Sequence, residues 1–180
     1  MTQNPAAPDA PEPDDKDWTW VLDRSCSECG YDSASIARES VADRLLAGTP
    51  RWQSALARKD ATVRLAPQTW SVLEYGCHVR DVHRMFGERA RLILTENDPE
   101  FANWDQDETA LLQEYWKARP AEVAPEIVEA AVAAARNFTG LSARQWSRTG
   151  LRSNGSTFTM ETLALYYLHD VEHHLHDVGA

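Results

Sequence analysis

Between Trp70 and Leu94, apolar residues recur at intervals of three and four: Val72, Tyr75, Val79, Val82, Phe86, Ala90 and Ile93. That spacing lays them along one side of an α-helix and leaves the polar positions on the other. The segment opens on Ser71-Val-Leu-Glu74, a capping-box pattern in which hydroxyl and carboxylate satisfy free backbone donors, and Asn97-Asp98-Pro99 stops it. A second stripe, Ala164, Leu168, Val171, Leu175 and Val178, predicts a last helix from about Met160 to Val178. Helix is also expected from about Ser35 to Arg58, broken at Gly48-Thr49-Pro50, where the proline can start a new turn. Ala61–Gln68 reads as a connector and Glu100–Asp107 as a loop. An alanine-rich third helical region is interrupted near Arg119-Pro120 and resumes from about Pro125 to Phe138. Asn154-Gly155, between β-branched and polar residues, predicts a short hairpin or tight loop before the last helix. Four main helices with short connections make an all-α bundle, a single domain over 17–180 after a Pro-, Ala- and Asp-containing leader, 1–16, expected to be disordered.

Composition narrows the function more than the fold. With 28 acidic against 18 basic residues, the net charge of −10 excludes a basic face for nucleic acid. No apolar run approaches the roughly 18 residues of a membrane span, and the N-terminus has neither the basic nor the apolar part of a secretory signal. Three cysteines cannot build a disulfide framework, so a cytoplasmic protein is expected. Seven tryptophans, one or two per segment, are expected chiefly to anchor helix contacts.

Histidine supplies the candidate chemistry. Four of the six fall within eight residues: His169, His173, His174 and His176. His169 and His173 are four apart and share a helical face, roughly 120–160° from the centre of the last helix's apolar seam. They can therefore face a cleft beside the core, with His176 in reserve and His174 projecting elsewhere. His78, on the flank of the second helix's stripe, could complete a three-nitrogen site, while His83, five residues on, points away from it. Three protein ligands leave a metal position open, as catalytic sites require.

Trp70-Ser-Val-Leu-Glu-Tyr-Gly-Cys-His78-Val-Arg-Asp81 and Tyr166-Tyr-Leu-His169-Asp-Val-Glu-His173-His174 resemble the DinB-like superfamily, most closely its actinobacterial branch of mycothiol-dependent maleylpyruvate isomerases and thiol S-transferases. The resemblance spans about Trp18 to Val178. It implies an up-down-down-up four-helix bundle and a divalent metal, zinc or nickel, held by His78, His169 and His173. It further implies mycothiol or a similar thiol as cosubstrate, bound to the metal as thiolate and added to a small electrophile. A metal-activated-water hydrolase on the same scaffold is the alternative. A non-catalytic metal- or ligand-binding stress protein, working as a homodimer, is the third reading.

Carboxylates near the ligands should orient their imidazoles. The candidates are Glu74, one turn before His78, then Asp81, Asp170 and Glu172. Asp105 and Asp107 could border the pocket, and Arg148 and Arg152 could clamp a substrate carboxylate. Cys26-Ser-Glu-Cys29-Gly30 has the spacing of zinc ligands or a redox pair, but it occurs once and lacks the strand–helix setting of redox motifs. Reduced thiols, a second metal shared with His174 or His176, and a redox pair all stay open. Cys77 points away from His78 and should pack.

Overall fold

The computed structural model describes Pro8 and residues 16–180, so most of the expected leader lies outside the described residues. Four long helices carry the architecture: α1 (Val41–Leu56), α2 (Val72–Thr95), α4 (Pro120–Ala135) and α6 (Met160–Asp177). Their contacts fix their directions. Arg44 of α1 meets Glu172 and Arg58 beyond it meets Val178 O, so α1 and α6 run together. Gly76 and Gly87 of α2 lie against Val123 and Ala134 of α4, so these two also run together. His83 of α2 bonds Tyr167 whereas His78, five residues earlier, meets Asp170 and His174, so α2 and α6 are antiparallel. The bundle is up-down-down-up, and none of its described helices is long and apolar enough to cross a membrane.

Both stripes read from the sequence are in the core. Val79, Val82, Phe86, Ala90 and Ile93 of α2 are buried, as are Ala164, Leu168, Val171 and Leu175 of α6. Phe86 stacks on Tyr167 at 4.8 Å between centroids. Ser71 and Glu74 form the predicted capping box.

Local differences each have a cause. α1 runs unbroken through Pro50, because the Thr49 hydroxyl bonds Leu46 O at 2.9 Å, the carbonyl that the missing proline N–H leaves open. Gly48 beside it lets α1 approach Leu175 and Val171. α4 begins at Pro120 rather than Pro125, since a first-turn proline forfeits no bond. Short helices α3 (Gln106–Leu112) and α5 (Ala143–Trp146) occupy the connections, α5 on a Ser142/Gln145 capping box. The hairpin pairs β2 (Thr149–Arg152) with β3 (Thr157–Thr159) through a turn at Gly155, φ +96°. In the expected loop, β1 (Glu100–Phe101) adds a parallel strand to β2; two residues are too few to show an alternating pattern.

Two buried polar contacts give stability predictions. Glu74 accepts from Arg64 and from the Ser71 N–H and hydroxyl, with its side chain only 3% exposed. Replacing Glu74 with Ala should cost about 3 kcal/mol by removing the anionic partner of the guanidinium and opening the helix cap, as read by denaturant unfolding, and leave metal content unchanged. Burial holds the His83 imidazole down at about 4. The unfolded chain, with an ordinary pKa near 6.5, takes up the proton first, so stability present above about pH 6.5 is lost as pH falls towards 4. His83 should account for about 3 kcal/mol of the loss, which should shrink in His83→Gln when unfolding is measured across that range.

Candidate metal centre

Four donors of α6 line one side of the helix as two i,i+4 pairs, His169 with His173 and Asp170 with His174. The pairs are offset by one residue, or about 100° of rotation, and so meet different partners. Asp170 and His174 meet His78 of α2. His169 and His173 meet Cys26 and Cys29 of the N-terminal segment. Within each group, one donor atom per residue lies within 4.8 Å of all the others.

The expected trio of His78, His169 and His173 is therefore divided between two groups. His174 reaches the second helix, and its ring stands edge-on to His78 with centroids 4.7 Å apart. Periodicity gave each position its direction but could not say which neighbour lay there. His169 and His173 look onto the segment carrying Trp18 and Cys26, and are 3% and 7% exposed. His176 is exposed.

His78 is fully buried, stacked on Trp104 at 5.3 Å and against Trp70 at 5.3 Å. Its Nε2 approaches Asp170 Oδ1 at 3.5 Å, a close contact and not a formed hydrogen bond. Both His78 ring nitrogens, Asp170 Oδ1 and His169 Nε2 lack hydrogen-bond partners among the described residues. A buried polar atom left this way costs about 1–3 kcal/mol, so the donors suit a cation that would satisfy them together. Burial lowers the pKa of His78 and of His173 and pushes His169 down to about 4, which keeps the imidazoles neutral and ligand-competent at pH 7. Burial also raises the Cys29 thiol to about 11, so with no cation beside it this sulfur stays protonated. His174 Nδ1 bonds Asp177 Oδ2 at 2.8 Å, which puts the proton on Nδ1 and turns the Nε2 lone pair towards Asp170, 3.6 Å away.

A cleft of about 780 Å³ opens over these groups. Trp18, Trp70 and Trp104 form apolar walls, and Arg152, Asp105 and Asp107 add charge. Arg152 is held by Asn154 Oδ1 at 2.9 Å and Ser156 Oγ at 3.0 Å, above the Phe158 and Tyr166 rings. Asp105 also caps α3 through Glu108 N at 2.8 Å.

Other expected pocket residues are engaged elsewhere. Glu74 serves Arg64 and the α2 cap. Asp81 holds Arg80, Arg84 and the Tyr115 hydroxyl on the α4 side of α2. Arg148 caps the end of α2, bonding Ile93 O at 2.5 Å and Glu96 O. Glu172 pairs with Arg44. Glu74, Asp81 and Glu172 lie near a histidine in sequence, but the helical direction of each sends it to another neighbour. Asp177 escaped the sequence reading, although its i,i+3 spacing from His174 is a usable signal. Cys77 packs in the core as expected.

No curated protein matches the chain. Among solved structures it is similar to YfiT from Bacillus subtilis, described as "a probable metal-dependent hydrolase with an unusual four-helix bundle topology". The TM-score is 0.69 at 21% identity, covering 79% of this chain and 86% of that one. The family model of the DinB superfamily matches residues 15–178. This chain belongs to the DinB superfamily.

Proposed function

We propose that the protein is a metal-dependent enzyme in which His78, Asp170 and His174 hold a divalent cation, zinc or nickel. The reaction we assign to it is transfer of a low-molecular-weight thiol, of the mycothiol type, to a small electrophile. One observation carries the reading: the His78 ring nitrogens and Asp170 Oδ1, buried and without hydrogen-bond partners among the described residues, gather with His174 beneath a cleft of about 780 Å³, ample for two small reactants. An ion held by three protein donors keeps positions open and lowers the pKa of a thiol or water bound there.

The chain's own residues supply binding and orientation. Trp70 and Trp104 both pack on the His78 ring, and Asp177 fixes the tautomer of His174. Arg152, with its guanidinium braced by the β2–β3 turn, is placed to receive an anionic group of a substrate.

A second reading, hydrolysis by an activated water, is favoured by the description of YfiT and uses the same three donors. The two separate by assay. Thiol consumption with a generic electrophile that depends on added metal supports transfer, whereas metal-dependent ester or amide turnover without thiol supports hydrolysis. Tight metal binding with neither turnover would leave a binding protein and defeat both. In chelator competition, His78→Ala, His174→Ala and Asp170→Asn should each weaken this ion by at least roughly tenfold. Wild-type affinity in all three would remove the assigned site.

A further inference from the structure

The Cys26-to-Gly30 turn has no part in that chemistry, yet it is built tightly against α6. Gly30 N bonds Cys26 O at 2.9 Å, Cys26 N bonds Tyr31 O at 2.7 Å, and Gly30 takes the left-handed φ of +77° that closes the turn. The Tyr31 hydroxyl pins it to Leu165 O at 2.6 Å. We infer that Cys26, Cys29, His169 and His173 form a second, four-ligand zinc site, structural in role, that clamps the N-terminal segment onto α6.

The geometry is close to the bound one. Zinc bonds of about 2.3 Å to sulfur and about 2.0–2.1 Å to nitrogen, in a tetrahedron, put sulfur and nitrogen about 3.6 Å apart. Cys26 Sγ and His173 Nδ1 are 3.7 Å apart, and all four donors fall within 4.8 Å. With Nδ1 towards the sulfur, His173 turns its Nε2 to carboxylates, Glu28 at 3.5 Å and Asp177 at 3.6 Å, the outer partners that a ligating imidazole favours. His169 Nε2 is buried without a partner among the described residues. Both cysteines are free thiols.

Loading replaces the two thiol protons, which pass to solvent, with Zn²⁺. Four protein donors leave no position for a substrate, which assigns the site to architecture. The clamp holds Trp18 against His169 and His173, forming one wall of the cleft. It also fixes the rotation of α6, and with it Asp170 and His174, each one residue further along.

The test uses the full chain purified without chelator. One zinc ion per chain is expected to be released as an organomercurial modifies the cysteines of the wild-type protein, read with a zinc indicator. Cobalt-substituted protein should show thiolate-to-cobalt charge-transfer absorption, kept in His78→Ala and Asp170→Asn and lost in Cys26→Ser and Cys29→Ser. The wild-type titration does not depend on any variant folding. Failure of the His78 site alone would leave the charge-transfer band intact, so the two assignments fall separately. No zinc release on thiol modification, no charge-transfer band, or a Cys26–Cys29 disulfide in freshly purified protein would each overturn the clamp.

Discussion

Imidazoles and a carboxylate with no hydrogen-bond partner among the described residues, buried between α2, α6 and the N-terminal segment, set the terms for the rest of this structure. A core of this size could have been closed with leucine at those positions. Each polar donor held there unsatisfied works against folding, since its hydration is lost and none of the described residues restores it. Neutral imidazoles limit that cost, and burial ensures neutrality. A cation that binds the folded arrangement and not the unfolded chain would convert a local weakness into a source of stability.

The arrangement depends on one property of the α-helix. Positions four apart nearly eclipse, whereas adjacent positions diverge by about 100°. Two overlapping i,i+4 pairs therefore deliver donors in two directions from a single stretch of α6. One direction meets α2 and the open cleft, and the other meets the cysteine turn. A helix surface thus divides its histidines between two sets of neighbours with no loop between them.

The remaining polar contacts of the bundle keep these helices in register. Arg58 bonds the carbonyls of Val178 and Gly179 at the end of α6, and Arg148 does the same for the end of α2. The three-stranded sheet sits where Gly150 passes so close to Ile93 and Phe101 that a Cβ would collide at 2.7 Å. That contact seats the β2–β3 turn, and so Arg152, at the edge of the cleft. Several charged residues near the histidines in sequence prove to be such braces.

Helix positions, both apolar stripes, the Ser71–Glu74 cap, the Asn154-Gly155 turn and the wealth of donors on the last helix were legible in the chain, because each is a local consequence of spacing and backbone chemistry. Family resemblance added the up-down-down-up order of the bundle. Continuity of α1 through Pro50 was not legible, since a neighbouring hydroxyl and close packing on α6 decide it. Nor was the partner of each α6 donor. Spacing sets the angle at which a side chain leaves its helix, but only the packing of α2 and of residues 16–31 determines what it meets. His78 thereby meets Asp170 and His174, and the two cysteines meet His169 and His173, across sequence separations too long for any local pattern to encode.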